Sequence, residues 1–265
     1  MKKKLMVCGC SFSAPSETLP GTSYGEVLAA KLDWDLVQLA RQGCSNGGVR
    51  LQIDEVIRQR PDFAIIAPTF HDRMELPASA APYKFRVDDY KGPGSDLQAH
   101  LQNTALKNGY DPADGIKNVN YADRPYNMIC ETIFSLAENY QHRYRSQQID
   151  KDTQKAIKSY INHIYDSAWK QQMDTWIMRD GIVQLYAAGI KFIVLPDNLW
   201  STQTLRSIIP QLVPDQYLIT VQEHVPSHAT WLYPFTGEDP GYHGAPASQQ
   251  YLADIFYKYI TEWKE

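Results

Sequence analysis

The 265-residue sequence has no excess of basic residues and no long apolar run. Its 26 Lys and Arg residues are outnumbered by 30 Asp and Glu residues, so the formal net charge is −4. Without a positive surplus to neutralise phosphates, nucleic-acid binding is not expected. No stretch approaches the roughly 20 apolar residues of a membrane span, and the apolar run after Lys4 is too short for a signal peptide. We therefore expect a soluble, cytoplasmic protein without membrane contact.

Cysteine is also scarce, since the chain holds only four, at Cys8, Cys10, Cys44 and Cys130. A C-x-C pair on one strand is poorly placed to form a disulfide, so no disulfide framework is expected and a reducing compartment fits. Cys8, Cys10 and Cys44 could be imagined as metal ligands together with His71. Because they lack the paired spacing of zinc sites, we interpret the cysteines as buried core residues and expect neither a metal nor a cofactor.

Tyrosine, by contrast, is abundant. The chain has 17 Tyr residues against 8 Phe and 6 Trp, within an ordinary globular composition of 43% hydrophobic and 21% charged residues. Many amphipathic rings indicate boundaries between polar and apolar surroundings, such as a pocket rim, an interface or the edge of a core. The length allows one large domain or two small ones.

Short apolar segments alternate with amphipathic ones, which predicts an α/β fold. Five strands are predicted, at about 4–9, 35–40, 62–69, 190–196 and 216–221. Amphipathic helices are predicted after the N-cap Ser23, from Val49 to the helix-stopping Pro61, and over 251–260. Strands that alternate with helices favour a parallel sheet with right-handed crossovers. We therefore expect a three-layer α/β/α sandwich with a five-stranded, flavodoxin-like parallel sheet.

A long segment separates the third and fourth predicted strands. We interpret residues 77–189 as a mostly helical insertion in a single domain that spans 1–265. One helix is predicted from Pro125 to Tyr140, and a second helical stripe runs from about Asp150 to Gly189 with a break at Gly181. Aromatic side chains recur at helical spacing in this stripe, at Tyr160, Tyr165, Trp169 and Trp176. We interpret them first as core packing against another helix, and a lid or a homo-oligomer contact would need the same residues.

Polar and reactive residues follow the strands in four loops. These are Ser11 in "GCSFS", Gly43 and Asn46 in "RQGCSNGG", His71 and Asp72 in "TFHDRME", and Asp239 and His243 in "GEDPGYHG". Loops at the carboxyl ends of parallel strands converge, and ligands bind there. A serine at the exit of a buried strand can present its hydroxyl and N–H to one point, as nucleophilic attack and oxyanion binding require. It can equally satisfy the loop backbone.

The other loops offer partners for such a nucleophile. His243 is suited to act as a base near neutral pH, and Asp239 or Glu238 can hold its tautomer. The His71 imidazole N–H can donate to an oxyanion, while Asp72 can brace its loop through the neighbouring arginine, although a surface turn fits these residues as well. Cys10 is a rival nucleophile, but adjacent side chains at a strand exit point apart, and the spacing favours Ser11.

Taken together, the four loops resemble the SGNH (GDSL-type) hydrolase family. Gly9, Cys10 and Ser11 occupy its Gly-Asp-Ser motif, and Gly43 matches the glycine whose amide completes the oxyanion hole. His71 stands where the family has an asparagine. His243 matches the histidine of the last Asp-x-x-His block, with Asp239 one residue further upstream. The "GCSFS" and "GCSN" motifs look like a divergent branch of the superfamily common in bacteria and their phages.

This resemblance implies a serine hydrolase of ester or acyl-ester bonds, with a small-molecule or carbohydrate ester as substrate. O-acetyl groups on carbohydrate are one such class. The departures at Cys10, His71 and Asp239 also fit a non-catalytic binding or assembly protein that kept the fold. Both readings therefore remain open at the level of the sequence.

Overall fold

The computed structural model places the sheet, its flanking helices and parts of the segment between the third and fourth predicted strands. The residues it describes are 2–10, 12–15, 20–40, 44–69, 71, 73–77, 118–119, 128–132, 151–195, 211–217 and 246–263.

Strands and helices alternate from Lys4 to Ile66, and further strands and helices follow in the rest of the described chain. The strands are β1 (Lys4–Cys8), β2 (Asp35–Gln38), β3 (Phe63–Ile66), β4 (Arg73–Pro77), β5 (Asn118–Val119), β6 (Met128–Thr132) and β7 (Phe192–Val194). The α-helices are α1 (Tyr24–Leu32), α2 (Asn46–Gln59), α3 (Lys151–His163), α4 (Ser167–Ala187) and α5 (Pro246–Thr261). A short 3-10 helix covers Asp215–Tyr217.

The main sheet is parallel and has the strand order β2-β1-β3-β7. From β1 the chain crosses to β2 on one side and then back over β1 to β3 on the other. Because right-handed crossovers in opposite directions require helices on opposite faces, α1 and α2 cover different sides of the sheet. A reversal of strand order also opens a crevice at the carboxyl ends of the strands on either side of it. That crevice lies between β1 and β3.

The strand side chains alternate between two apolar cores. Leu5 and Val7 of β1 lie in the core formed with α1 and α5. Met6 and Cys8 lie in the core formed with α2 and α4. All four side chains are fully buried, and burial of one such side chain contributes about 1.5–3 kcal/mol. The predicted three-layer architecture, a parallel sheet flanked by helices, is confirmed.

Local signals placed the first helix correctly. Ser23 is the N-cap of α1, and its side chain accepts from the backbone N–H of Glu26 while the Glu26 carboxylate accepts from the Ser23 N–H. This reciprocal capping satisfies two N–H groups that the helix leaves without partners. The helix ends at Asp33, whose φ of 55° is left-handed.

The predicted fifth strand is wrong at the residues that the structure describes. Gln216 and Tyr217 belong to the 3-10 helix, in which the Tyr217 N–H donates to the Pro214 carbonyl at 3.0 Å. The Tyr217 ring packs against Phe192 and Trp263, with centroids 4.7 and 5.0 Å apart. These ring contacts stabilise a turn against β7, the edge strand, and the described main sheet has four strands. Residues 218–221 lie outside the described part of the chain.

The helix predicted from Pro125 to Tyr140 is also wrong over its described part. Met128–Thr132 form β6, which pairs antiparallel with β4 and β5 in a second, three-stranded sheet. Arg73 lies opposite Thr132 and Pro77 opposite Met128 in this pairing. Apolar residues spaced over so few positions fit both the helical period and the strand period. Pairing with β4, some fifty residues earlier in the chain, decided in favour of a strand. The remaining residues of that predicted helix, 125–127 and 133–140, lie outside the described ones.

The long helical stripe after Asp150 is interrupted at a different place from the predicted one. α3 and α4 are separated between His163 and Ser167, where the Asp166 carboxylate accepts from the Trp169 N–H at 2.7 Å and caps α4. Gly181 lies inside α4, where a Cβ would come within 2.8 Å of Ile53 Cδ1 on α2. Its small size allows the two helices to approach closely. The predicted stop at Gly189 is confirmed by its left-handed φ of 68° after the helix.

Aromatic side chains of α3 and α4 are largely exposed. Trp169 and Trp176 are 58% and 48% exposed, and their rings meet edge to face at 5.6 Å. Tyr160 is 40% exposed. Core packing therefore does not account for these three side chains. None of the helices in the described ranges is long and apolar enough to span a membrane.

Candidate active site

Asn46 and His71 are the two predicted site residues that the structure describes. Ser11, Gly43, Asp72, Asp239 and His243 lie outside the described residues. Residues next to Ser11, Gly43 and Asp72 are described, so the structure places parts of three of the four loops.

The first loop leaves β1 at Gly9, where the backbone needs glycine. Its φ is +155°, and a Cβ there would lie 2.7 Å from Ser13 Oγ and 3.1 Å from Ala67 Cβ. The chain then folds into a tight turn, because the Ser13 and Ala14 N–H groups both donate to the Cys10 carbonyl at 3.0 Å. The first loop is therefore packed directly against the end of β3.

The cysteines near this loop are core residues, as predicted. Cys8, Cys10 and Cys44 are at most 1% exposed and belong to the apolar core under α2 and α4. Burial raises the pKa of the Cys8 thiol, which disfavours the nucleophilic thiolate. The Cys10 side chain likewise lies in the core. Within the described part of the chain, no three His, Cys, Asp or Glu side chains are grouped as metal ligands are.

The second loop is tied to the first through Gln52 of α2, whose side chain is fully buried. The Gly9 N–H donates to Gln52 Oε1 at 2.6 Å, and Gln52 Nε2 donates to the Gly9 carbonyl at 3.1 Å. Gln52 Nε2 also lies 3.4 Å from the Cys44 sulfur. One amide therefore holds both backbone groups of the residue at the exit of β1. Sequence reasoning missed Gln52, and a glutamine between the apolar Leu51 and Ile53 was the one signal available.

Asn46 ties the second loop to the third in the same way. The Thr69 N–H donates to Asn46 Oδ1 at 2.8 Å, and Asn46 Nδ2 donates to the Thr69 carbonyl at 2.9 Å. Its second Nδ2 hydrogen goes to Asp174 Oδ2 on α4, also at 2.9 Å. An amide nitrogen carries two hydrogens, so both are engaged within the protein. The structure thus gives Asn46 a bracing position, where an oxyanion or ligand contact was predicted.

Asn46 also contacts an ion pair of α4, formed by Asp174 and Lys170. Asp174 is 3% exposed and its other carboxylate oxygen pairs with Lys170 one turn earlier on α4. A buried carboxylate is costly unless it is paired and hydrogen-bonded. The ammonium and the Asn46 amide together meet that requirement, and they couple α4 to the third loop.

The third loop is held at two further points. The Tyr165 hydroxyl donates to the His71 carbonyl at 3.4 Å, and Arg73 Nη1 donates to the Cys44 carbonyl at 2.8 Å. Arg73 is 6% exposed, so this charge-assisted bond is shielded from water. His71 itself is half-buried. An imidazole at such a place can donate a hydrogen bond.

The three loops therefore converge at the carboxyl ends of β1 and β3. Side chains of α2 and of the third loop join them through hydrogen bonds at Gly9, Thr69 and Cys44. Among the described residues, this edge offers a hydrogen-bonded backbone framework and the His71 imidazole, beside which a nucleophile and oxyanion donors can act.

Comparison with known proteins finds similarity only at the level of structure. No family model matches the sequence, and no curated protein matches it. The fold is similar to that of a protein assigned to the lipolytic G-D-S-L family from Desulfitobacterium hafniense DCB-2, at 8% identity and a TM-score of 0.45. It is also similar to the acetyl xylan esterase AlAXEase, at 11% identity and a TM-score of 0.45. Each match covers 97% of this chain and 99% of the other.

Proposed function

We propose that the chain is a serine hydrolase that cleaves ester or acyl-ester bonds, with Ser11 as the nucleophile. The observation that supports this proposal best is the hydrogen-bonded convergence of three loops at one edge of the sheet. Gln52 holds Gly9, Asn46 holds Thr69, and Arg73 holds Cys44. Each held residue lies within two positions of a proposed site residue, namely Ser11, His71 or Gly43.

The proposed mechanism has two steps. Ser11 Oγ attacks the acyl carbonyl while His243 takes the hydroxyl proton, and His243 then returns that proton to the departing alcohol. Water next attacks the acyl-enzyme with His243 as base, which releases the carboxylic acid and restores Ser11. Asp239 orients His243 and stabilises its charged form.

The oxyanion formed in each step needs hydrogen-bond donors. We assign this role to the N–H groups of Ser11 and Gly43 and to the His71 imidazole, with Asp72 bracing the His71 loop. Loss of one such donor slows an enzyme about 10²–10³-fold. The substrate class, a small-molecule or carbohydrate ester such as an O-acetylated sugar, is proposed from the resemblance of the four loops.

A fluorophosphonate probe, which reacts with activated serines, tests the proposal. We expect mass spectrometry to locate the label on Ser11, with no labelling in Ser11→Ala and much slower labelling in His243→Ala. Ser13→Ala is the matched control, because this serine of the same loop is only 2% exposed. Its labelling rate should equal that of the wild type.

The result that would contradict the proposal is an absence of both labelling and turnover. A wild-type protein that is folded by circular dichroism, takes no label and does not hydrolyse p-nitrophenyl acetate would contradict the hydrolase. A non-catalytic binding or assembly protein would then be the better description.

A further inference from the structure

Two buried amide side chains of α2 each hold both backbone groups of one residue at a strand exit. Gln52 pairs with the N–H and C=O of Gly9, and Asn46 pairs with the N–H and C=O of Thr69. Gln52 is 0% and Asn46 1% exposed. Each amide thus makes the backbone hydrogen bonds that a neighbouring strand would otherwise make.

The sheet itself does not supply the partners of Gly9. The Leu39 and Ala40 N–H groups both donate to the Val7 carbonyl, at 2.9 and 3.0 Å, so β2 turns away from β1 just before Gly9. Buried backbone groups require hydrogen-bond partners. Gln52 provides them where β2 no longer does, and the exit of β1 is held in one position as a result.

Each amide is also fixed in one orientation. Asn46 Nδ2 makes a second bond to Asp174 Oδ2, and Gln52 Nε2 lies against the Cys44 sulfur. A carboxylate accepts only, so the nitrogen of Asn46 must face Asp174 and its oxygen must face the Thr69 N–H. The two contacts therefore need a side chain that both donates and accepts, and not merely one of that size.

We propose that Gln52 and Asn46 are positioning residues of the hydrolase, which set the separation between the nucleophile and the oxyanion donor. Gly9 lies two residues before Ser11, and Thr69 lies two residues before His71. A displacement of about 1 Å at a reacting group can slow catalysis about 10²-fold. This inference rests on the proposed function, since without a reaction at Ser11 there is nothing to position.

Replacement of Gln52 by methionine tests the inference. Gln52→Met keeps the length of the side chain and removes its hydrogen bonds. We expect fluorophosphonate labelling of Ser11 to slow roughly tenfold or more, and kcat for p-nitrophenyl acetate to fall with little change in KM. The control is Val56→Ala, a buried position one turn further along the same helix. Assayed well below its Tm, this variant should be labelled at a rate within about twofold of the wild type, because it leaves the hydrogen bonds of Gln52 and Asn46 in place.

A conservative variant separates positioning from general destabilisation. The carboxyl of Gln52→Glu, when protonated, accepts and donates at Gly9 as the amide does. Its labelling rate relative to the wild type should therefore rise as the pH is lowered. The Cys44 thiol that contacts residue 52 is present in both proteins, so any effect of that thiol on the labelling rate cancels when the two rates are divided. If Gln52→Met does not fold, Gln52→Glu is compared with Val56→Ala in its place.

Three outcomes distinguish the possibilities. Slow labelling of Gln52→Met together with normal labelling of Val56→Ala supports the inference. Equal labelling of these two variants, or a Gln52→Glu labelling rate that stays low relative to the wild type at every pH, overturns the inference and leaves the proposed function intact. A folded wild type without label overturns both.

Discussion

Among the described glycines, Gly9 is the position at which one added methyl group should do most damage. Gly9→Ala would place a Cβ 2.7 Å from Ser13 Oγ, 3.0 Å from Ser13 Cβ and 3.1 Å from Ala67 Cβ. Ser13 cannot move away easily, because its N–H donates to the Cys10 carbonyl and its own carbonyl accepts from Gln38. Ala67 has no rotamer to change. The φ of +155° adds a backbone conformation that side chains disfavour.

The expected cost follows from these two effects. A sparsely populated backbone conformation costs about 1–3 kcal/mol, and overpacking a filled site costs a further 1–3 kcal/mol, roughly. We therefore expect Gly9→Ala to lower the free energy of unfolding by about 2–6 kcal/mol, a large part of the roughly 5–15 kcal/mol that holds a domain together.

Urea unfolding followed by circular dichroism measures this loss. Gly189→Ala is the matched control, because Gly189 also has a positive φ, 68°, but nothing lies within 4 Å of its Cβ position. It should lose only the conformational part, about 1–2 kcal/mol. Adding Ser13→Ala to Gly9→Ala should recover stability, since it removes the nearest atom. The reasoning is refuted if Gly9→Ala costs no more than Gly189→Ala.

Two further predictions concern buried thiols and a surface charge. Cys8, Cys10 and Cys44 should resist alkylation by iodoacetamide in the folded protein and react after denaturation, because they are at most 1% exposed. Mass mapping checks this, and rapid native modification of any of the three would contradict it. A hydrogen bond from Arg50 holds the pKa of Asp180 below its ordinary 3.8, so Asp180→Asn should lose stability above that pH, by under about 1 kcal/mol at this exposed pair. This loss of stability should disappear as the pH falls through the lowered pKa. Urea unfolding midpoints of the wild type and the variant check this. A difference between them that is the same at neutral and strongly acidic pH would argue against the pairing.

Local features of this protein were readable from the sequence. Phe63–Ile66 is apolar at every position, as a strand covered on both faces must be, and the structure buries all of it. Ser23 before an apolar helical stripe identified the start of α1, because an N-cap involves only neighbouring residues. The order of strands and helices predicted a parallel sheet, and the position of the loops predicted where a site would lie.

The tertiary structure alone decided which residues pair or pack with partners that are distant along the chain. β6 is a strand because β4 lies beside it, and Gln216 and Tyr217 form a turn because aromatic rings pack against Tyr217. Gln52 holds Gly9 across 43 residues of sequence, and no local pattern records such a bond. Periodicity and capping depend on a few adjacent residues, whereas the choice of hydrogen-bond partner depends on which segments the fold brings together. The sequence therefore determined the layers and predicted where a candidate site lies, and the tertiary structure determined which hydrogen bonds hold the described loops together.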